Sequence, residues 1–571
     1  MSSNKEKEQD TLKNDFNNLL SAAGEFGLYQ VLLFLSTCPF FIFGAFSCFT
    51  QLFMTEVPSN HWCRVPQLEH LTDIERRSLA IPQDENENFG YSHCTMYAVN
   101  WSTVSEMKPN MSWPIEPCRY GWEFNKSEIP YPTISSEMEW VCERDSYQAI
   151  AQAIFFVGSI VGGLGIGWIA DRFGRLPAGI LGNSIGCIAG TSSIFTRNFT
   201  EFSICRFFMG MSYNTCMMMI YLLVIEYTAP KYRNIAANLP VGVFLTLGMM
   251  TLPWIALACG NWRTLSLVTS VPMAISLLAP FVIPESPTWL LSQGRIDEAV
   301  KKVLTIGRIN KKKIPSELIE KFKVSATKLD TEKGASVLEI FRRPILRKIL
   351  FLACLEFMCC TLIFDALLRS IGALDFDFFL SFTLLSLPQF PSLLIVSFTL
   401  DLTGRKWITV IMMLCCCIFS ILVVLVPSGW YSILCAIVAI FGVNISYTVT
   451  LQWAAEMLPT CVRGSGSSIV QICGYVGTVI SPYIAYLKVY IPVLPLIIVG
   501  FIAAIGTIAA LFLPETAGRN MPDTFEEAED LVKKQVFFDI PFLRKSYVRE
   551  SCSVVSYIVT GWDPSPIFRL G

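Results

Sequence analysis

Carboxylate and guanidinium side chains stand in the same short pattern at two places in this chain of 571 residues. The first copy is Gly167-Trp-Ile-Ala-Asp171-Arg172-Phe-Gly174-Arg175, and the second, 230 positions later, is Ser397-Phe-Thr-Leu-Asp401-Leu-Thr-Gly404-Arg405. Ion pairs between such groups are strong and directional when they are partly buried. Pairs that form in only one of two conformations would therefore act as a latch.

The duplication extends beyond this pattern. Two further matches have the same offset: Glu226 and Arg233 recur as Glu456 and Arg463, and Pro284-Glu285-Ser286 recurs as Pro514-Glu515-Thr516. Three ordered matches at one offset indicate an internal repeat. We predict that the repeated charges form a gate, and the alternative is that they only satisfy a charge bias between two faces. The predicted gate residues are Asp171, Arg172, Arg175, Glu226, Arg233, Glu285, Asp401, Arg405, Glu456, Arg463 and Glu515.

Two acidic residues, Glu356 and Asp365, lie within one long apolar run. An ionisable side chain in such a run is costly and marks a functional position by default. A carboxylate there could neutralise a cationic ligand. In a straight helix the two acids would lie about 13.5 Å and half a turn apart, so we expect only one of them to face a cavity. The alternative for either acid is an ion pair with a neighbour, or a protonated and buried state.

The composition places these residues in a membrane protein. Hydrophobic residues make up 53% of the chain and charged residues 16%, which is too apolar for a soluble protein of this size. The net charge of −2 gives no reason to expect a nucleic acid as partner. No nucleophile–base arrangement, metal-ligand cluster or phosphate loop stands out in the sequence. We therefore expect neither an enzyme nor a cofactor or metal site.

Apolar runs of about 20 residues, the length that crosses the hydrocarbon layer, predict twelve transmembrane helices. They lie at about 27–48, 148–170, 177–196, 202–224, 236–258, 264–283, 349–369, 378–400, 407–426, 430–454, 465–487 and 491–513. The repeat divides them into two six-helix halves, so the predicted fold is an all-α polytopic membrane protein. The predicted domains are an N-terminal segment 1–25, a first bundle 26–283 that includes a loop 49–147, a connector 284–348, a second bundle 349–513 and a tail 514–571.

The basic residues predict the orientation. Those of the short loops fall on one side of the predicted membrane: Arg172, Arg175, Lys231, Arg233, Arg405, Lys406 and Arg463. By the positive-inside rule these loops, the connector and both termini are cytoplasmic. The connector also shows helical periodicity over residues 295–309 and 316–322.

The loop 49–147 would then be extracellular, and its chemistry differs from that of the other loops. Its cysteines suit two disulfides, for which the sequence permits three pairings: Cys63, Cys94, Cys118 and Cys142. Three sequons predict N-glycosylation at Asn100, Asn110 and Asn125. Both features predict a loop on the outer face of the plasma membrane.

Several of these segments resemble a known family. The pattern Gly-x-x-x-Asp-Arg-x-Gly-Arg at 167–175 resembles the signature of the major facilitator superfamily. Its organic cation/anion/carnitine transporter family has segments similar to Phe26-Gly-Leu-Tyr-Gln30, His61-Trp-Cys63 and Pro284-Glu-Ser-Pro-Thr-Trp-Leu-Leu-Ser-Gln293. The resemblance covers about residues 25–520. The chain departs from the pattern at Leu176, where a second basic residue is usual, and at Ser397, where glycine is usual.

The resemblance implies the major facilitator fold and alternating access, in which two bundles rock about a central site in the lipid bilayer. It also implies a small organic ion as substrate. Tyr475 stands where cation-transporting relatives carry aspartate and anion or carnitine transporters carry arginine. Its ring could contact an ammonium group by cation–π attraction. Arg206 and Gly210 match a structural Arg-x-x-x-Gly position of the superfamily.

The ionisable residues favour a substrate with a positive charge. No Lys or Arg lies in the middle of helices 1, 2, 5, 8, 10 or 11, which usually line the cavity in this superfamily, so an anion would find little to neutralise it. The predicted substrate contacts are Glu356, Asp365, Tyr475, Asn214, Tyr221, Phe364 and Tyr447. We predict a plasma-membrane carrier of small organic cations or zwitterions, such as amines, carnitine-like or amino-acid-derived compounds. The alternatives are an organic-anion carrier of the same family, using Arg206 or backbone dipoles, and a non-transporting membrane receptor.

Overall fold

The computed structural model describes residues 15–533, and the gaps within this range fall mainly in loops. The residues left out are 26, 59, 84–89, 102–109, 111, 230–231, 328–337, 375, 460–461, 520 and 523. The structural statements below concern the described residues alone.

Within them, twelve helices are long and apolar enough to cross a membrane, as the sequence predicts. We number these helices α1 to α12. Their bounds are Leu28–Thr55, Cys142–Phe173, Arg175–Phe195, Phe199–Glu226, Asn238–Cys259, Trp262–Val282, Pro344–Gly372, Phe378–Leu400, Arg405–Leu425, Trp430–Met457, Arg463–Val489 and Leu494–Phe512. The predicted fold class is confirmed, and α1 runs further than predicted because residues 49–55 continue its apolar helix around the single amide of Gln51.

The helices form two bundles, α1–α6 and α7–α12. In the first bundle α4 packs on α2 and α3, and in the second α7 packs on α11 and α12. The halves meet where α2 contacts α11 and where α5 contacts α8. Aromatic rings add a further contact between the halves at one end, where Phe382 of α8 lies 5.1 Å from Phe53 and 5.6 Å from Phe49 of α1.

Glycines allow the backbones of α2 and α4 to touch. A Cβ atom added at Gly158 would lie 2.1 Å from the carbonyl oxygen of Phe207, and one at Gly210 would lie 1.9 Å from that of Phe155. Close approach through small residues is a common way to join helices in membranes. Gly210 therefore has a packing role, which fits the structural position that the resemblance to the superfamily implies for it.

We expect Gly158→Ala to lower the stability of the protein by about 1–3 kcal/mol, because its new methyl group would force α2 and α4 apart. Gly165→Ala, in the same helix, is the matched control, since nothing lies within 4 Å of its added Cβ. Melting of the detergent-solubilised protein, followed by size-exclusion chromatography, measures both effects. Equal melting temperatures for the two variants would contradict the close helix contact.

The long loop between α1 and α2 folds into a small disulfide-bonded layer, and we call this end of the bundles the loop end. Strand β1 (His61–Cys63) pairs with β4 (Trp122–Phe124), and β2 (Thr95–Tyr97) pairs with β3 (Ile115–Pro117). Of the three possible pairings, the structure has Cys63 bonded to Cys118 and Cys94 bonded to Cys142. Asn100 and Asn110 are exposed and Asn125 is half-buried, so the sequon side chains lie at or near the surface.

The connector lies at the opposite end, which we call the connector end. Its described helices are Pro287–Ser292, Ile296–Ile309, Ser316–Thr327 and Leu338–Arg342, which confirms the predicted helical periodicity. Asn310 anchors the connector to the start of the first bundle, since it accepts a hydrogen bond from the Tyr29 amide (2.9 Å) and donates to Gln30 Oε1 (3.1 Å). Part of the connector is thereby attached to the first half.

Candidate functional site

The duplicated charges form two matching clusters at the connector end. In the first half the Glu285 carboxylate accepts hydrogen bonds from the backbone amides of Arg175 (3.0 Å) and Leu176 (3.2 Å). In the second half Glu515 accepts them from Arg405 (2.9 Å) and Lys406 (3.0 Å). Each carboxylate thus caps the first turn of α3 or α9, where unpaired amides and the helix dipole favour a negative charge.

A second pair of carboxylates completes each cluster. Glu226, at the end of α4, lies 3.8 Å from the Arg175 guanidinium and accepts a hydrogen bond from the Ser286 hydroxyl. Glu456, at the end of α10, lies 2.9 Å from the Arg405 guanidinium and accepts a hydrogen bond from the Thr516 hydroxyl. Residues that are 230 positions apart in the sequence therefore make equivalent contacts in the two halves. Each of these contacts joins segments of one half.

Glycine is required at the turn that brings these groups together. Gly174, between α2 and α3, has φ of 113°, and Gly404, between α8 and α9, has φ of 81°. Other residues rarely adopt this conformation. A Cβ atom at Gly174 would also lie 2.4 Å from a Glu285 carboxylate oxygen. The glycine of the repeated pattern thus makes room for the carboxylate that caps the helix.

The remaining predicted gate residues are placed less uniformly. Asp171 is exposed and lies 3.1 Å from Arg175, and Arg172 is exposed, with its guanidinium over the Trp168 ring. Arg463 donates a hydrogen bond to the Leu458 carbonyl (3.3 Å) in its own half. The side chains of Arg233 and Asp401 lie outside the described part of the structure.

The two acids of α7 point in different directions. Glu356 is fully buried inside the second bundle, where a Cβ atom at Gly506 of α12 would lie 3.0 Å from its Oε2. The Cys360 thiol donates to its Oε1 (3.5 Å), and its Oε2 has no hydrogen-bond partner among the described residues. Asp365 instead accepts a hydrogen bond from Ser481 of α11 (2.8 Å). Glu356 therefore faces α12 inside its own bundle, whereas Asp365 faces α11.

Asp365 is neutralised by a residue that the sequence analysis did not single out. Arg369, one helical turn later, donates to both carboxylate oxygens, with Nε–Oδ2 and Nη2–Oδ1 distances of 2.7 and 3.0 Å. The guanidinium also lies over the Phe156 ring of α2, 5.7 Å from its centroid. The spacing of four residues on a helix was the available signal for this pair.

The predicted aromatic contacts occupy mixed positions. Tyr447 packs its ring 5.1 Å from that of Phe357, and Tyr447 and Phe364 are partly buried against one apolar cluster. Tyr221 is partly buried against another cluster, in the first half, and Tyr475 is half-buried on α11. The side chain of Asn214 lies outside the described part of the structure.

A cavity of about 340 Å³ lies at the loop end between α1, α2, α7 and α11. Its polar lining comes from both halves: Gln51, Glu56, Asp145, Gln148 and Gln152 from the first, and Arg369, Tyr486 and Lys488 from the second. Two contacts cross between the halves at its rim. Lys488 Nζ lies 2.9 Å from Glu56 Oε1, and the Tyr486 hydroxyl donates to Asp145 Oδ1 (2.8 Å). We call this space the loop-end cavity.

In the long loop, the pKa of His61 is shifted from its ordinary value. His61 lines the cavity, with Nδ1 3.2 Å from the Pro58 carbonyl oxygen and its ring centroid 4.7 Å from that of His93. Burial, followed by the charge of His93, lowers the pKa of His61 to about 4. The imidazole therefore stays neutral in the folded protein at pH values where it would be protonated in an unfolded chain.

We predict that this group weakens the protein in acid. Because the folded pKa lies below the unfolded value of about 6.5, the unfolded state binds the additional proton, and stability falls as the pH drops from about 6.5 to 4. His61→Gln should lose less thermal stability between pH 7 and pH 5 than the unmodified protein. His70→Gln, at an exposed position in the same loop, is the control and should follow the unmodified protein.

Comparison with known proteins gives a consistent result. The family model described as "Sugar (and other) transporter" matches residues 118–530. The chain is 30% identical to the carcinine transporter of Drosophila melanogaster, over 92% of this chain and 80% of that protein. It is 30% identical to the beta-alanine transporter of Drosophila melanogaster, over 90% and 89%. It is also 30% identical to solute carrier family 22 member 1 of Oryctolagus cuniculus, over 91% and 96%.

Among solved structures, the inward-open xylose transporter XylE from E. coli is similar in fold. The TM-score is 0.55 at 15% sequence identity, and the match covers 87% of this chain and 99% of that protein. This similarity extends over both bundles.

Proposed function

From the premise that this chain belongs to the organic cation/anion/carnitine transporter family of the major facilitator superfamily, we propose that it carries small organic cations or zwitterions across a membrane by alternating access. The observation that carries this proposal is the 30% identity to carcinine and beta-alanine transporters over nine-tenths of the chain. Amines, carnitine-like compounds and amino-acid-derived compounds are the substrates to consider.

The arrangement of the two halves fits this mechanism. Alternating access needs two bundles that move as units about a site between them. The clusters around Glu285 and Glu515 fasten the helix ends within each half, and the loop-end cavity lies between the halves. The Glu56–Lys488 and Asp145–Tyr486 contacts must separate whenever the loop end opens. We propose that they close this end, while the predicted gate residues act at the connector end.

The charges support a zwitterion at least as well as a simple cation. Asp365 is paired with Arg369, and Glu356 is enclosed within the second bundle. Neither acid therefore offers a free carboxylate for a cation, although Asp365 and Arg369 together offer both signs of charge. Tyr475, Tyr221, Phe364, Tyr447 and Asn214 remain proposed contacts around the central site.

The anion alternative has less support. Arg206 is buried, donates to the Ser47 carbonyl (3.4 Å) and lies 4.7 Å from the Phe155 ring centroid. It is thereby engaged in holding α4 against α1 and α2, and it does not line the loop-end cavity. Arg369 and Lys488 line this cavity, and each already has a counter-ion, Asp365 and Glu56 respectively.

The proposed location is the plasma membrane, with the connector and both termini in the cytoplasm. The basic residues of the short loops support this orientation, and disulfides in the long loop fit an oxidising exterior. Glycans are proposed at Asn100, Asn110 and Asn125. Treatment of intact cells with a glycosidase should reduce the apparent mass of the protein, whereas an unchanged mass would contradict the exterior placement of the loop.

The transport proposal is tested by uptake into cells that express the chain. We expect saturable uptake of members of a labelled panel of amines and amino-acid-derived zwitterions, above that of cells carrying the empty vector. A parallel panel of organic anions should enter no faster than in those control cells. Saturable uptake of anions alone would contradict the proposal.

A further inference from the structure

Two buried amides in the loop-end cavity have no hydrogen-bond partner in the described part of the chain. Gln51 of α1 is 1% exposed and Gln152 of α2 is 2% exposed. Neither amide group of these residues, nitrogen or oxygen, has a partner among the described residues. Leaving such groups unpaired is costly, and both residues line the loop-end cavity. Their amides are therefore free to bind a polar ligand there.

A guanidinium from the other half lines the same space. Arg369 is buried, and Asp365 takes its Nε and one Nη2 hydrogen, whereas a guanidinium has five N–H donors. The Nη1 end is left for another acceptor. Phe156 and Asp365 hold the group from two sides, so it is oriented before any ligand arrives. A pre-oriented guanidinium that lines the same cavity as two amide donors is well suited to a carboxylate.

We propose that Gln51, Gln152 and Arg369 form a carboxylate-binding subsite in the loop-end cavity, and that the protein prefers zwitterions with a carboxylate to the corresponding cations. This inference rests on the proposed transport function and specifies its substrate class. The subsite takes its groups from both halves, so a bound carboxylate links α1 and α2 with α7.

Charge balance favours a zwitterion over an anion in this subsite. The Asp365–Arg369 pair is neutral as a unit, so a lone anion would add an uncompensated charge to a partly buried space, which is costly. A zwitterion adds no net charge. Its ammonium group can approach Glu56, which lines the same cavity and is paired with Lys488 at the rim. A volume of about 340 Å³ is at the small end of ligand cavities and suits a short amino acid.

Binding of three related compounds to the purified protein tests the proposal. The probes are β-alanine, its uncharged-carboxyl analogue β-alaninamide, and propionate, which lacks the ammonium group. We expect β-alanine to bind at least about tenfold more tightly than either analogue, because only it satisfies both the guanidinium and the amides. Equal affinities for β-alanine and β-alaninamide would overturn the proposal.

The double variant Gln51→Leu/Gln152→Leu tests the residues themselves. Because these amides have no partners among the residues that the structure describes, their removal should leave the melting temperature unchanged or slightly raised. The affinity for β-alanine should fall about tenfold, while that for β-alaninamide changes little. Gln389→Leu is the matched control, since Gln389 is also buried with an unpaired oxygen but does not line the cavity. Unchanged β-alanine affinity in the double variant would overturn the assignment.

Cellular uptake separates failure of this proposal from failure of the transport proposal. If β-alaninamide and other amines enter but the double variant retains full preference for β-alanine, the subsite is wrong and transport of cations stands. If no amine or zwitterion enters at all, both the transport proposal and the subsite proposal fail. Arg369→Lys keeps the positive charge but loses the planar guanidinium with its paired N–H donors. We therefore expect the ratio of β-alanine to β-alaninamide affinity to fall in that variant. An unchanged ratio would count against a role for the guanidinium.

Discussion

Asp365→Leu is expected to destabilise the protein by about 3–5 kcal/mol, because it would leave the Arg369 guanidinium buried without its counter-ion. The contacts that it removes are the two hydrogen bonds from Arg369 and the one from Ser481. The yield of monodisperse protein after solubilisation and its melting temperature should both fall. This is the largest loss of stability that we predict, because the substitution breaks a buried, bidentate ion pair between two residues of α7.

The double variant Asp365→Leu/Arg369→Met is the informative control. It replaces the pair by apolar side chains, and such replacements of buried ion pairs are often neutral or stabilising. We therefore expect it to recover most of the stability lost in Asp365→Leu. If the double variant is as unstable as the single one, the loss arises from packing around α7 rather than from the uncompensated charge.

The second large effect is expected at the connector end. Glu515→Ala should cost about 2–4 kcal/mol, because Glu515 is fully buried and its removal leaves the first amides of α9 unpaired. Glu285→Ala should cost less, since Glu285 is partly exposed and water can replace it. Glu285 and Glu515 are related by the sequence repeat, and each caps the equivalent helix after an equivalent glycine turn. The two variants are therefore matched in local structure.

Asp171→Ala supplies the control for the capping prediction. Asp171 is exposed, and we expect its removal to change stability by less than about 0.5 kcal/mol. Melting of the three variants in one detergent gives the order of the effects. A smaller effect at Glu515 than at Asp171 would contradict the capping role.

The fold follows from the sequence to a large extent. Twelve apolar runs predict twelve helices because a membrane span must be long, apolar and internally hydrogen-bonded. The repeat also identifies which charges belong together, since Arg175, Glu226 and Glu285 meet in one cluster and their counterparts meet in another. What the repeat does not reveal is that each cluster is confined to its own half.

The candidate site is less predictable from the sequence. Which face of a helix lines a cavity depends on its rotation against its neighbours, and that rotation separated Glu356 from Asp365. A search for ionisable residues in the middle of spans passed over Arg369, which lies at the end of its predicted span. It also passed over Gln51 and Gln152, because an amide carries no charge and its lack of a partner is visible only in three dimensions.

The disulfide pairing is another feature that the sequence predicts only in part. Four cysteines in one loop predict two bridges but permit three pairings. The choice of Cys63 with Cys118 and Cys94 with Cys142 depends on how two short strand pairs bring distant segments together. Those strands are three residues long each, too short to be predicted from alternation of polar and apolar residues.

Counterflow in proteoliposomes tests most directly the claim that this protein transports small organic cations or zwitterions. These vesicles contain the purified protein and no other carrier. Vesicles loaded with unlabelled β-alanine should accumulate external labelled β-alanine transiently, faster than empty vesicles and faster than loaded vesicles without protein. Unlabelled amines and amino-acid-derived zwitterions should compete, and propionate should not. The account would be contradicted if labelled β-alanine and labelled amines enter no faster than in protein-free vesicles while labelled organic anions show counterflow.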